Sequence, residues 1–238
     1  MLIGEVTMKE FEKSLKKSRT LIIPFGTVEA HGAHLPLNTD TLIIREVVRK
    51  AADKTGVYMA PPVQYGVCTS TGQHPGTIGI TAETLRRLAT DIVRDAYKKG
   101  LRNFILISGH GGSLHVSAMK ESAEALKEEL DGIKIAALSI YEILGKEADE
   151  IAETKNDSHA GEIETSLVLH LAPRLVKGTS KEEYPALPKP VVVKDKVRYW
   201  PGAVWGDPGK ATVEKGERMF NIMVESVCNL VKKLDRVG

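Results

Sequence analysis

The chain has 238 residues, of which 42% are hydrophobic and 27% are charged. This length and composition are typical of one soluble globular α/β domain, so we expect a single domain over residues 1–238. The 33 basic and 31 acidic residues give a net charge of +2, which speaks against a nucleic-acid partner, since that would require a basic surface.

The first third of the chain predicts alternating helices and strands. A T-x-x-E capping box at Thr7 opens a short amphipathic helix. The apolar run 20–26 is predicted as a buried parallel strand, and a helix follows over about 40–54. A second strand is predicted over 57–63, where two prolines place its end at a sheet margin. Residues 64–80 are rich in Gly, Thr, Ser and Pro and predict a long loop, a kind of segment that is often functional.

The alternation continues to the end of the chain. Strands are predicted over 102–108 and 133–140, and a short one around 190–193 within the proline-rich loop 173–207. Helices are predicted over these ranges: 81–99, from 113 onward, 141–153, 160–171 and 213–234. Such alternation implies a mainly parallel sheet covered by helices on both faces. Ligands of these sheets bind at the carboxyl ends of the strands, where we expect the reactive residues.

The cysteines and the apolar runs indicate the cellular compartment in which the protein is expected. Cys68 and Cys228 lie far apart in the sequence and form no CxxC motif, so we expect neither a disulfide framework nor a thiolate zinc site. No signal peptide and no apolar run of membrane-spanning length is recognisable. We therefore expect a cytoplasmic protein without a membrane partner.

A first cluster of reactive residues follows the first predicted strand. Glu29 and His31 are two residues apart, so in extended chain their side chains face the same way. Gly32 and Pro36 would let the loop turn back and bring Asp40 beside them. Carboxylates with imidazole suit Zn, Mn or Fe, and a carboxylate such as Asp40 can bridge two ions. An acidic turn with a capping Asp40 and hydrogen-bonded histidines is the structural alternative.

A second cluster is the turn Gly-His-Gly-Gly at residues 109–112, after the strand 102–108. Its glycines let the backbone approach a ligand closely, and His110 in the middle of the turn fits metal ligation. The alternative is a phosphate-binding turn at a helix N-terminus. The spacing GxGxxG and the P-loop lysine are both absent, which speaks against nucleotide binding.

A third cluster contains His159, Glu162 and Glu164 at the start of a predicted helix. A buried carboxylate in this apolar helix would require a cationic partner or a metal ion. Helix geometry separates Glu162 and Glu164 by about 200°, so at most one should point inwards. A pair of exposed glutamates at the positive end of the helix dipole is the structural alternative. No GxSxG elbow supports a serine hydrolase, and nothing in the sequence supports Cys68 as a nucleophile.

Together these clusters resemble the creatininase (creatinine amidohydrolase) family. The family pattern G-[ST]-x-E-x-H-G-x-H-L-P-x-x-[TS]-D stands at residues 26–40, its GHGG turn at 109–113 and its D-x-H-A-G-x-x-E-T-S pattern at 157–166. A late glycine-containing region of the family resembles residues 202–216. The resemblance extends over nearly the whole chain. It implies a Rossmann-like three-layer α/β/α sandwich, two divalent ions and a homohexamer.

The resemblance also implies a set of metal ligands. They are Glu29, His31, Asp40, His110 and Glu164. Glu29, Asp40 and His110 would hold one ion, and Asp40 would bridge to a second ion held by His31. Gly112 stands where creatininase itself has a glutamate ligand. We therefore infer that Glu164 supplies the missing carboxylate.

Further residues of the resembling motifs are candidates for catalysis and substrate binding. His159 matches a histidine that polarises the amide or moves a proton, and Glu162 is a second catalytic candidate. The substrate-binding candidates are Cys68, Ser70, Gly111 and Asp157. Cys68 stands where relatives have serine, Thr71 where they have histidine and His74 where they have phenylalanine. These departures and the absent glutamate speak against creatinine itself as the substrate.

The expected function is hydrolysis of a C–N bond in a small linear or cyclic amide, through a water bridging two divalent ions (Zn, Mn or Fe). This places the chain among hydrolases of carbon–nitrogen bonds other than peptide bonds. The sequence does not distinguish among cyclic ureas, formamides and short peptides as substrates. One alternative is a formamide hydrolase (deformylase) of nucleotide-derived cofactor biosynthesis, and another is a non-catalytic α/β ligand-binding module. Trp200 and Trp205 could wall either the substrate pocket or a subunit interface.

Overall fold

The computed structural model describes residues 1–237, apart from the side chain of Asp149. Four strands form one parallel sheet in the order β2-β1-β3-β4. They are β1 (Thr20–Phe25), β2 (Tyr58–Met59), β3 (Asn103–Ser108) and β4 (Lys134–Ser139). The α-helices are α1 (Met8–Ser14), α2 (Thr39–Thr55), α3 (Ala82–Lys98), α4 (Ser113–Glu129), α5 (Lys146–Asp149), α6 (Glu162–Leu171) and α7 (Val213–Arg236). Within residues 1–237, no helix is both long enough and apolar enough to cross a membrane.

The sheet is buried on both faces because successive strand residues point to opposite sides. In β1, Ile22 packs with buried residues of α2, α6 and α7. Its neighbours Leu21 and Ile23 pack on the other face with buried residues of α3 and α4. All six residues of β1 are buried. The predicted single-domain α/β sandwich with helices on both faces of a parallel sheet is therefore confirmed.

The strand register brings the carboxyl ends of the three long strands to one edge. Phe25 at the end of β1 pairs with Ser108 of β3, which pairs with Ser139 of β4. The chain places β2 on one side of β1 and β3 on the other side. The topological switch point therefore lies between β1 and β3, and a crevice for ligands is expected just beyond their ends.

Three predicted elements differ from the structure. The strand predicted over 57–63 is reduced to Tyr58–Met59, because Pro61 and Pro62 have no N–H to donate to a ladder. Pairing resumes only as a single bridge between Phe25 and Val63. The helix predicted over 141–153 is a 3₁₀ turn (Ile140–Ile143) followed by the single turn α5, since the chain between them is extended.

The short strand predicted around 190–193 is wrong. These residues pair with no strand in the part of the chain that the structure describes. Val191 and Val192 are exposed, and apolar composition alone does not make a strand where no sheet edge is within reach.

Candidate metal centre

One group of ligand atoms lies between the ends of β1 and β3. His110 Nδ1 is 2.8 Å from Glu29 Oε2 and 3.1 Å from Asp40 Oδ2. Glu29 follows β1, His110 follows β3, and Asp40 is the second residue of α2. Gly109 permits this approach, because a Cβ there would lie 2.3 Å from the backbone oxygen of Asp40. The strand ends and the start of α2 are thereby packed against each other.

A second group of ligand atoms adjoins the first through Asp40. His31 Nε2 is 3.1 Å from Asp40 Oδ1 and 3.6 Å from Glu164 Oε2. Asp40 thus directs one carboxylate oxygen to each group, which is the arrangement that a bridging ligand requires. Ligands about 2.0–2.2 Å from a tetrahedral ion are about 3.3–3.6 Å apart. The observed separations of 2.8–3.6 Å are close to that spacing.

These side chains are buried without a cationic partner other than histidine. Glu29, His31, Asp40, His110 and Glu164 are all at most 7% exposed. Among residues 1–237, no lysine or arginine forms an ion pair with any of the three carboxylates. Glu29 Oε2 has no partner in the described part of the chain beyond the ion-pair contact with His110 Nδ1. A buried carboxylate oxygen in this condition fits a site built for a divalent cation.

The pKa values of the cluster reflect mutual ion pairing. Burial lowers the pKa of His31, but the neighbouring Asp40 and Glu164 raise it to about 10. Burial likewise opposes protonation of His110, but Glu29 and Asp40 raise its pKa well above the ordinary value. Burial raises the pKa of Glu29, and His110 more than offsets this and lowers it to about 2. The carboxylates therefore favour the protonated form of both histidines when no metal ion is bound.

Hydroxyl groups orient the carboxylates from outside. Thr71 donates to Glu29 Oε1, and Thr27 donates to Asp40 Oδ2. Tyr141 donates to Glu164 Oε1 at 3.1 Å. Such outer partners fix the orientation of metal ligands. The sequence reasoning gave no role to these hydroxyls, although Tyr141 could have been found because it follows the end of β4.

His159 lies beside the second group of ligands. Its ring is 4.2 Å from the His31 ring, and its Nε2 is 2.8 Å from the carbonyl oxygen of Ala30. A carbonyl can only accept, so Nε2 carries the proton and Nδ1 is the free nitrogen of a neutral ring. Burial and the neighbouring His31 lower the pKa of His159 and favour this neutral form.

A cavity of about 890 Å³ opens onto the cluster. Four predicted site residues line it besides the carboxylates and His110, namely Ser70, Gly111, Asp157 and His159. Trp200 and Trp205 also line it, with their ring centroids 6.5 Å apart. The two tryptophans were expected either at the substrate pocket or at a subunit interface, and in the structure both line the pocket. Burial raises the pKa of Asp157 to about 6, although its oxygens accept from the first amides of α6.

The structure directs Glu162 away from this cavity. Its oxygens accept from the backbone amides of Glu153 and Thr154 and from Lys215 Nζ at 2.6 Å. Only Glu164 of the two glutamates points to the cluster, as the 200° separation predicts. The catalytic assignment of Glu162 is therefore corrected, because its carboxylate is bound on the other side of α6. Lys215 was not predicted as the partner of Glu162, because an ion pair between helices that are far apart in the sequence leaves no local pattern.

The parallel sheet and the buried carboxylate–histidine cluster at its strand ends define an α/β protein with a candidate metal-binding site. The family described as Creatininase: Creatinine amidohydrolase matches residues 4–231. The chain belongs to the creatininase family.

Individual relatives also match the chain over most of its length. The chain is 31% identical over 230 residues to a mycofactocin precursor peptide peptidase of Mycobacterium ulcerans (strain Agy99), covering 90% of this chain and 85% of the relative. It is 27% identical over 252 residues to the creatinine amidohydrolase of Pseudomonas putida, covering 98% and 96%. A crystal structure of creatinine amidohydrolase (creatininase) superposes with a TM-score of 0.87 at 26% identity, covering 100% of this chain and 98% of that one.

Proposed function

We propose that this protein is a metal-dependent amidohydrolase that cleaves a C–N bond with two divalent ions held at the candidate metal centre. The observation that carries the proposal is Asp40. Its two oxygens each face a separate histidine–carboxylate pair, Glu29 with His110 and Glu164 with His31. Family membership supports hydrolysis over the non-catalytic binding module.

The ligand set suits Zn²⁺, Mn²⁺ or Fe²⁺ because it combines imidazole nitrogens with carboxylate oxygens. Solved creatininases with a TM-score of 0.84 include manganese and zinc forms. Ions bound here would supply a Lewis acid for the amide carbonyl and a water of lowered pKa as nucleophile.

The protein's own side chains would transfer a proton and exclude solvent. The neutral His159 can take up a proton at Nδ1 and pass it to the leaving nitrogen, while Ala30 holds the ring by Nε2. Trp200 lies against His159 with ring centroids 5.3 Å apart, so it shields this proton transfer from bulk water. Ser70, Gly111 and Asp157 line the cavity and are proposed to contact the substrate.

Metal content tests the proposal directly. We expect about two ions per chain in the purified protein, by mass spectrometry of the metals, and loss of both ions in Asp40→Ala. Asp53→Ala is the matched control, because Asp53 is an exposed carboxylate on the same helix. Protein that binds no Zn²⁺, Mn²⁺ or Fe²⁺ after reconstitution would contradict the proposed function.

A short peptide is a second candidate substrate, and the size of the cavity favours it. A small cyclic amide would fill only part of 890 Å³, whereas a short peptide would occupy more of it. The relative from Mycobacterium ulcerans is called a peptide peptidase. Assays of creatinine, N-formyl compounds and short peptides, with Asp40→Ala as blank, would separate the candidates. Activity on peptides alone would overturn the restriction to non-peptide bonds.

Two further proposals concern the whole protein, and the family resemblance supports the first of them. We propose a homohexamer, which light scattering of the native protein would test. We also propose a cytoplasmic location, which fractionation of the source cells would test.

A further inference from the structure

Cys68 lies next to the first group of metal ligands. Its sulfur, a carboxylate oxygen of Glu29 and a ring nitrogen of His110 all lie within 4.8 Å of one another. The thiol has only a long contact of 3.9 Å to the carbonyl oxygen of Gly66 within the described residues. Cys68 is not among the residues that line the cavity, so a contact with the cluster suits its position better than the predicted contact with substrate.

The Glu29 carboxylate provides a second, independent observation. Thr71, three residues after Cys68, donates to Oε1. Oε2 has its ion-pair contact with His110 Nδ1 at 2.8 Å and no further partner among residues 1–237, although Glu29 is only 2% exposed. The same loop therefore orients one oxygen of Glu29 and presents a sulfur beside the carboxylate. This combination points to a cation between Glu29, His110 and Cys68.

We propose that Cys68 is a further ligand of the ion held by Glu29 and His110, which gives this position a preference for Zn²⁺ over Mn²⁺. The inference rests on the proposed function, since it requires that the centre binds divalent ions. Thiolate sulfur favours zinc, whereas carboxylate oxygen suits manganese. On binding, the thiol loses its proton to solvent and the sulfur bonds to the ion.

The two ion positions then differ in chemistry. Glu29, His110, Asp40 and Cys68 offer oxygen, nitrogen and sulfur to one ion. The second group, His31, Asp40 and Glu164, offers oxygen and nitrogen only. We expect Mn²⁺ to be accepted more readily at the second position.

Cobalt substitution tests the sulfur ligand without an activity assay. The metal-free protein is titrated with Co²⁺ while the near-ultraviolet spectrum is recorded, because a thiolate bound to Co²⁺ gives an intense sulfur-to-metal charge-transfer band. We expect the band in the wild-type protein and its absence in Cys68→Ser. Cys228→Ser is the matched control, since Cys228 lies on α7 outside the cluster, and this variant should keep the band. Competition between Zn²⁺ and Mn²⁺ should show about tenfold or more loss of Zn²⁺ affinity in Cys68→Ser, with little change for Mn²⁺.

The outcomes separate this inference from the proposed function. Two Co²⁺ per chain without the band, or a band that survives in Cys68→Ser, would overturn the sulfur ligand and leave the metal-dependent hydrolase intact. Protein that binds no Co²⁺, Zn²⁺ or Mn²⁺ would overturn both.

Discussion

Protons compete with metal ions for the two histidines of the candidate metal centre. His31 has its pKa raised to about 10 and His110 has its pKa raised well above the ordinary value, because both face carboxylates. An imidazole must be neutral to bind a metal ion, so each histidine must lose a proton first. Below these pKa values, metal binding therefore releases protons.

The apparent metal affinity is expected to rise with pH. The raised pKa values favour the protonated form of both histidines in the metal-free protein. Each ion then displaces one histidine proton, so its affinity should rise by up to about tenfold per pH unit, and the product of the two affinities by up to about a hundredfold. Chelator competition at pH 6, 7 and 8 measures this slope. His170→Gln, a change on α6 outside the cluster, should leave the slope unchanged. A pH-independent affinity would show that the ion pairs described here do not exist in solution.

Tyr141 is expected to affect one of the two proposed ion positions rather than both. Its hydroxyl donates to Glu164 Oε1 at 3.1 Å, and loss of such an outer partner typically weakens metal binding by about 10–100-fold. Tyr141→Phe should therefore reduce the affinity of one ion by about tenfold and leave the other nearly unchanged, as measured by calorimetric titration. Tyr97→Phe removes a hydroxyl from α3 on the other face of the sheet and should have no effect. Equal loss at both positions would contradict the separate ligand groups.

Some residues of this candidate centre could be predicted from the sequence and others could not. Glu29, His31 and His110 could be found because each follows a strand, and strand ends of parallel sheets meet at one edge. The choice of Glu164 over Glu162 required the helix orientation, which periodicity limits but does not decide. Thr71 and Tyr141 act on ligands that are far away in the sequence. Such contacts depend on tertiary packing, which no local pattern records.

At the scale of the elements, the packing of α6 on α7 holds Glu164 in place. Gly216 on α7 lies against the backbone of α6, and a Cβ there would be 1.9 Å from the carbonyl oxygen of Ser166. That neighbour is main chain, so the two helices would have to separate. Thr212 also donates its amide to the hydroxyl of Ser166 at 3.1 Å. Both contacts are made with Ser166, so the first turn of α7 lies closely against α6 at this residue.

Gly216→Ala is expected to destabilise the protein. Alanine is favoured over glycine inside a helix by about 1 kcal/mol, so a loss here would show that the close approach outweighs helix propensity. We expect about 2–3 kcal/mol less free energy of unfolding, measured with urea. Gly145→Ala is the control, since no atom lies within 4 Å of its added Cβ, and it should change stability little. A more stable Gly216→Ala would refute the close contact.

The elements with a clear apolar pattern were predicted well, and those that depend on tertiary neighbours were predicted poorly. Helices such as α3 and α7 have a clear apolar face over four or more turns, and strands such as β3 are continuous buried runs. Residues 190–193 have the composition of a strand, but they lie away from the sheet. Strand formation requires a neighbouring edge, and the sequence of the segment itself does not contain that information.

At the scale of the whole molecule, the candidate metal centre joins parts of the chain that are distant in sequence. Glu29 and His31 follow β1, Asp40 starts α2, His110 follows β3 and Glu164 belongs to α6. The unfolded chain does not bring these ligands together. Ions that bind only the folded state stabilise it by mass action, by about 2.7 kcal/mol for each site at a free concentration a hundred times its Kd.

Removal of metal is therefore expected to lower the melting temperature. For a chain of this length, each kcal/mol corresponds to about 2–4 °C, so the loss of one saturated site should lower Tm by about 5–10 °C. Calorimetric scans of the chelator-treated and the reloaded protein measure this difference. Asp40→Ala should melt at the same temperature with and without added ion, because it removes the shared ligand, while Asp53→Ala should keep the full difference. If the metal-free and the metal-loaded protein had the same melting temperature, the cluster would bind ions too weakly to link the sheet edge to α2 and α6. In that case the five buried ligands would have to be stable by their own ion pairs alone.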